Sequence, residues 1–406
     1  MLFSLALIFI LGLGLGGLFK RIHLPSLLAF LLIGIGLGPY GFNLIDERIL
    51  GISSELRQIA LIIILTRGAL ALNLKELKAI GKSAIFMCFL PAVFEIIAVT
   101  LLGVLLFKMP VFEAILLGSI LGAVSPAVII PKMLHMMENH HGTQKSIPQL
   151  IIAGASADDI FVVLIFTATL GILQTGTVEM ASILQVPTGM ILGAIVGLIL
   201  GLSLVAFFKN VHMRDSVKII LLLALSFLLV AVEEGLKGTF GFSGLIGLIT
   251  MNLTIGQQYA ILSTRLSQKY TKLWIVAEMF LFVLVGAIVN FKLFIPHLLK
   301  GFLLIMGALV VRFLGVMFSI QSMKLNWKER FFCGISYLPK ATVQAAIGAI
   351  PLTLGLPNGE LILAIAVVSI LLTAPIGAIL MDITAKTLVP FDAITKKKHA
   401  PDLAKN

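Results

Sequence analysis

The sequence predicts an all-α, polytopic membrane protein of about 13 transmembrane helices, arranged as inverted repeats with two broken helices that cross. Three observations lead there. Apolar residues come in blocks of roughly 20, the length that spans a hydrocarbon core. Only 12% of the 406 residues are charged and mean hydropathy is +1.11, whereas a soluble domain needs about 25% charged residues to coat its surface. The lysines and arginines fall in alternate connections, as the positive-inside rule requires.

The apolar segments run 1–19, 25–45, 55–73, 83–107, 111–134, 147–173, 182–208, 217–234, 241–255, 273–291, 301–320, 330–354 and 360–388. The first lacks a basic stretch before its apolar run and carries Lys20 and Arg21 after it, which reads as a membrane helix and not a leader. Its Gly12, Gly14 and Gly17 spell G-x-G-x-x-G, but the surroundings offer neither the strand nor the later acid of a dinucleotide-binding unit. The second segment is plainly apolar, the third carries Arg67, and the fourth carries Glu95 at its middle. The fifth is interrupted by Ser125-Pro126 and Pro131, and the sixth carries Asp158 and Asp159. The seventh and eighth are again plain, while the ninth is the weakest and reads as short or re-entrant. Arg312 sits mid-way along the eleventh, and the twelfth is interrupted around Pro339, Lys340 and Gln344. No connection is long enough for a soluble domain, and 391–406 forms a short basic tail.

The cations test this plan. Lys20, Arg21 and nineteen others fall on one side; Arg48, Arg57, Lys108, Lys237, Lys292 and Lys300 fall on the other. Arg67, Arg312 and Lys340 lie inside apolar segments. That asymmetry puts the N-terminus outside and the C-terminus in the cytoplasm. The net charge of +11 therefore reports topology and affinity for anionic lipid, not nucleic-acid binding. Two cysteines, Cys88 and Cys333, exclude a disulfide framework by count.

Segments seven crossings apart run in opposite directions, so 4–6 and 11–13 can be inverted copies. Their middle members, the fifth and twelfth, are the two that proline interrupts. Ordinary proline kinks would explain either alone; paired breaks in inverted halves point to a midplane ion site. Buried charges beside them favour the latter, since each costs about 2.5–3.5 kcal/mol at the bilayer centre on insertion scales. Asp158 and Asp159 lie mid-segment and repel each other, so one is expected to exchange protons at working pH. Neighbouring helix positions differ by about 100°, so one can face an ion pathway while the other meets a protein partner. Glu95 and Arg312, in symmetry-related segments, are expected to neutralise each other. Lys340 can balance the negative ends of interrupted helices or pair with Asp158 or Asp159. Arg67, Glu233, Glu234 and Glu278 lie nearer segment ends and read as snorkelling. His140 and His141 read as a solvated loop.

The stretches LGAVSPAVIIPKM, KSIPQLIIAGASADDI, YLPKATVQAAIGAI and SILLTAPIGAIL closely resemble the sodium/proton antiporters of the monovalent cation:proton antiporter superfamily, nearest to the NHA branch of the sodium/hydrogen exchangers. The resemblance covers nearly the whole chain. It implies one transporter unit over 1–390, with a core domain from 83–173 and 301–388 and a dimerisation domain from 1–73 and 182–291. It further implies a homodimer in the inner or plasma membrane that serves pH homeostasis. Asp158 and Asp159 match the family's ion-binding pair, Glu95 and Arg312 its core salt bridge, and Lys340 its broken-helix lysine. Neither a cofactor nor the nucleotide-binding domain of potassium-efflux relatives is expected; the lipid bilayer is the expected partner.

The leading expectation is an elevator-like antiporter in which Na+ or Li+ competes with H+ at Asp158 and Asp159. Ser125, Ser156 and carbonyls near Val124 would supply further oxygens, which suit a hard cation. A K+/H+ antiporter of the same fold is the alternative. An intramembrane aspartyl protease needs its two acids from different helices, and here they are adjacent. An organic-anion symporter would need a midplane that welcomes an anion, which a carboxylate pair does not. Both lose to the antiporter, and the chain is not expected to be an enzyme.

Overall fold

The computed structural model describes residues 1–22, 24–72, 81–175, 180–236, 242–290 and 295–391. The tail expected beyond Phe391, together with Lys75, Lys78, Lys237 and Lys292, lies outside them. Its α-helices are α1 (Leu2–Arg21), α2 (Ser26–Leu37), α3 (Glu47–Gly51), α4 (Ser53–Ala71), α5 (Lys82–Met87), α6 (Leu90–Phe107), α7 (Val111–Leu121), α8 (Pro126–Glu138) and α9 (Ile147–Thr175). They continue with α10 (Met180–Asn210), α11 (Asp215–Gly235), α12 (Gly244–Gln258), α13 (Ala260–Ile288), α14 (Leu298–Ser319), α15 (Trp327–Ser336), α16 (Thr342–Ile347), α17 (Ile350–Thr353) and α18 (Gly359–Leu388). Among the described residues nine helical spans are long and apolar enough to cross a membrane. The other expected crossings fall on α2, on α4 with its Glu55, Arg57 and Arg67, on the short α12, and on the interrupted run α15–α17. Gly12, Gly14 and Gly17 lie within α1, not in a strand–turn–helix.

The helices pack in two groups: α6, α7, α8, α9, α14, α15 and α18 in one, and α1, α2, α4 and α10–α13 in the other. The groups meet where α9 faces α10 and α4, where α16 faces α4 and α13, and where α2 faces α18. In the second group glycine sets the spacing. Gly193, Gly197 and Gly201 bring α10 against the backbone of α12; a Cβ on Gly197 would stand 2.2 Å from the Gly247 carbonyl oxygen. In a membrane, where apolar burial gives no drive to associate, such small-residue seams let backbones approach and dispersion accumulate. The same seam accommodates α12, the ninth expected segment, whose 15 residues span only about 22 Å.

Two boundaries differ from expectation. The tenth segment, expected at 273–291, is a helix from Ala260 to Ile288. Its first turns are charged but remain helical, with Arg265 3.5 Å from Asp215 and Lys269 donating to Ser216 at 3.3 Å. Glu278 therefore lies along the helix body and is half-buried, not at a segment end. The break in the fifth segment lies at 122–125, between α7 and α8, and Pro131 runs inside α8 without ending it. Pro126 occupies the first helical position, where its missing N–H costs nothing. In the twelfth segment the helix stops at Ser336 and resumes at Thr342.

The two breaks meet. The Ser125 N–H donates to the Pro339 carbonyl at 2.9 Å, joining one unwound stretch to the other. The Lys340 N–H donates to Thr373 Oγ1 on α18 at 2.9 Å. Inverted repeats thus place both interruptions at one depth, where each satisfies backbone groups the other has freed.

Candidate functional site

Unwinding leaves the last carbonyls of α7 without intrahelical partners, and they carry the partial negative charge of a helix C-terminus. Side chains meet them one by one. Gln344 Nε2 donates to Ile120 O at 3.0 Å and Ala123 O at 2.9 Å. Lys340 Nζ donates to Leu121 O at 2.6 Å, and Arg312 Nη1 to Gly122 O. Lys340 does balance a broken-helix end, but its acid is not Asp158 or Asp159. It lies 2.7 Å from Glu95 Oε1 and 2.8 Å from Glu95 Oε2. The expected alternative fails because Arg312 already holds Asp158 and Glu95 takes the ammonium.

Arg312 is fully buried and central. Its Nη1 donates to Glu95 Oε2 at 2.6 Å, its Nη2 to Asp158 Oδ2 at 2.9 Å, and its Nε to Tyr337 O at 2.9 Å. The expected Glu95–Arg312 pair is therefore one link in a chain Asp158–Arg312–Glu95–Lys340. Its charges alternate and sum to zero. Such a buried cluster persists only because its members offset one another's desolvation. Asp158 is fully buried and also accepts from the Val124 N–H at 2.9 Å. Val124 thus presents its amide to the carboxylate.

Asp159 is excluded from this chain. The turn of α9 carries it to another face, where it is half-buried and its Oδ1 has no hydrogen-bond partner. Its electrostatic neighbours are Asp158, Arg67 and Arg312, and Arg67 also faces Glu278. Arg67 is half-buried on α4, so it and Glu278 belong to the polar interior and are not simply snorkelling. Several buried oxygens around the break are also unpartnered: Ser125 Oγ, Asp158 Oδ1, Thr342 Oγ1 and Gln344 Oε1. Ser156, the other expected oxygen, has its hydroxyl engaged one turn back, donating to Ile152 O at 2.8 Å.

Four contributors are not marked as such by the sequence: Gln344, Tyr337, Arg67 and Glu278. Gln344 was seen only as part of a break, although a lone amide in an apolar run signals freed carbonyls nearby. Tyr337 packs its ring 5.6 Å from the Arg312 guanidinium and its hydroxyl against α9 at Gly154, where a Cβ would stand 2.0 Å away. No sequence signal marks that contact. Glu278 falls in the helix body once α13 is traced through its charged first turns, and Arg67 faces it from α4. A cavity of about 310 Å³ lies between the two helix groups, lined by Arg57, Glu233 and Glu234 on one side and by Phe166, Thr167 and Ala346 on the other. Phe166 is two turns along α9 from Asp159, about 10 Å.

Comparison with known proteins places this geometry. Residues 5–386 match the family described as "Sodium/hydrogen exchanger, transmembrane". The chain is 32% identical over 385 residues to Sodium/hydrogen exchanger 9B2 of Homo sapiens, covering 90% of this chain and 70% of that one. It is 30% identical over 386 residues to Sodium/hydrogen exchanger 9B1 of Macaca fascicularis, covering 90% and 73%. Among solved structures, the sodium proton antiporter MjNhaP1 from Methanocaldococcus jannaschii superposes with a TM-score of 0.81 at 20% identity, over 95% of this chain and 97% of that one.

Proposed function

The chain belongs to the sodium/hydrogen exchanger family, and on that premise we propose that it exchanges Na+ or Li+ for H+ across the membrane by competition at Asp159, with Asp158 beside it. One observation carries this reading: Asp159 is the carboxylate left over when the buried chain from Asp158 to Lys340 has neutralised itself. An isolated carboxylate in low dielectric is costly. It is relieved by a proton or by a small cation, and the two exclude each other. A hard cation there takes oxygen ligands, for which the buried, unpartnered Ser125 Oγ, Thr342 Oγ1 and Asp158 Oδ1 are the candidates.

The packing supports alternating access by a sliding core. The helices of 83–173 and 301–388 carry both breaks and every member of the charge chain, so the group can slide as one body against 1–73 and 182–291. The cavity ending at Phe166 would deepen to Asp159 as the groups shift. In this proposal the second group also forms the homodimer contact, the N-terminus lies outside and the C-terminus in the cytoplasm of an inner or plasma membrane.

The test is proton flux in liposomes holding the purified protein, with Na+, Li+ and K+ added in turn to a preset pH gradient. Sodium and lithium are expected to dissipate the gradient and potassium to leave it. Dissipation by potassium alone would move the chain to K+/H+ exchange, and no response to any cation would end the proposal.

A further inference from the structure

Away from the ion site, the ends of α8 and α18 flank an open cavity of about 970 Å³. The loop after α8 borders it. The Gly142 N–H donates to Pro390 O at 3.2 Å, and the His141 ring packs edge-on to Phe391 with centroids 5.7 Å apart. Its charged lining is mostly basic: Lys132, Lys386, His135 and His141 against a single acid, Asp382. Asp382 is engaged by Lys132 in an ion pair. Lys386 is therefore left exposed and without an acidic partner among the described residues.

The approach to this cavity is apolar. Ile376, Ile379 and Ile383 of α18 are exposed at 48%, 45% and 56%, and their spacing puts them on one helical stripe. Lys386 is one turn further along the same stripe. Leu134 of α8 is exposed alongside. A lipid-facing stripe ending in an unpaired ammonium at a basic cavity matches a molecule with an acyl chain and an anionic head.

We propose that the cavity between α8 and α18 binds the phosphate headgroup of an anionic phospholipid, whose acyl chain lies along Ile376, Ile379 and Ile383. Lys386 and the imidazole of His135 receive the phosphate, and Lys132 can turn to it from Asp382. Because α8 begins at the unwound stretch that contains Ser125, a headgroup clamping α8 to α18 also steadies the break. The binding itself does not depend on which cation the protein carries.

The experiment uses the full chain in a neutral detergent and follows its unfolding midpoint on titration with phosphatidylglycerol. Phosphatidylcholine of the same chains and inorganic phosphate are the parallel arms. Phosphatidylglycerol is expected to raise the midpoint, and Lys386→Gln to weaken the apparent affinity about fivefold, the contribution of one surface lysine to an anionic lipid. Lys269→Gln, in the other helix group, is expected to leave the response unchanged. An equal response to phosphatidylcholine would reduce the site to acyl packing. The full response from inorganic phosphate, or an undiminished one in Lys386→Gln, would equally overturn the proposal.

Discussion

The guanidinium of Arg312 holds Asp158 at 2.9 Å while leaving Asp159, the next residue, without a hydrogen bond to Oδ1. One step along a helix separates a carboxylate held by an arginine and a backbone amide from one outside that buried chain.

The two aspartates should therefore fail differently. Asp159→Asn is expected to fold and insert but to abolish cation-dependent proton flux, because an amide can offer an oxygen to a cation yet has no proton to exchange. Asp158→Asn keeps an acceptor for the Val124 N–H but leaves the Arg312 charge unmatched. It is expected to lower thermal stability while retaining measurable exchange. Flux in liposomes over a pH series with Na+ and Li+, beside melting curves, separates the two; normal exchange by Asp159→Asn would remove the competition mechanism.

Charge balance governs the outcome at Arg312. Arg312→Ala leaves Asp158 and Glu95 with Lys340 alone and should cost about 3–5 kcal/mol, the usual loss when a buried pair is broken from one side. Adding Glu95→Ala returns the cluster to neutrality and is expected to recover part of that loss. A double-mutant cycle on unfolding free energies should show coupling of about 1 kcal/mol or more, and additive losses would disprove the linkage.

Lys340→Met removes the ammonium that meets both Glu95 and the Leu121 carbonyl. We expect a lower melting temperature and slower exchange with an unchanged order of preference between Na+ and Li+, since no Lys340 contact is to an aspartate. A reversal of cation preference would place Lys340 at the ion itself.

At the seam of α10 and α12, Gly197→Val is expected to drive the helices apart and lower the melting temperature, because even a Cβ meets the Gly247 carbonyl oxygen at 2.2 Å. Gly14→Val on α1, with nothing within 4 Å, is expected to be nearly neutral. Equal melting temperatures for the two variants would contradict the close approach.

Asp158 and Asp159, Glu95, Arg312 and Lys340 were all legible in the sequence, for one reason: an ionisable residue deep in an apolar segment costs so much that it signals a role. The segment plan was legible because hydropathy and the distribution of cations are properties of the chain. Glu278 was misplaced because its helix begins in charged residues that hydropathy discards. The break in the fifth segment was put at two prolines, yet only the stretch before Pro126 unwinds. Proline permits a break, and neighbouring side chains decide whether one is sustained.

The sequence by itself determined the class, most of the helices and the deep charges Glu95, Asp158, Arg312 and Lys340, since desolvation cost depends on residue type and on the surrounding apolar run. Glu113 and Glu329, at segment ends, are buried by the fold. Only the tertiary structure decided who pairs with whom: that Lys340 takes Glu95, that Val124 offers its N–H to Asp158, and that Asp159 is left over. Those choices depend on distances of 2.6–2.9 Å between residues up to 245 positions apart, and such distances are set when the two breaks cross, not by any local pattern along the chain.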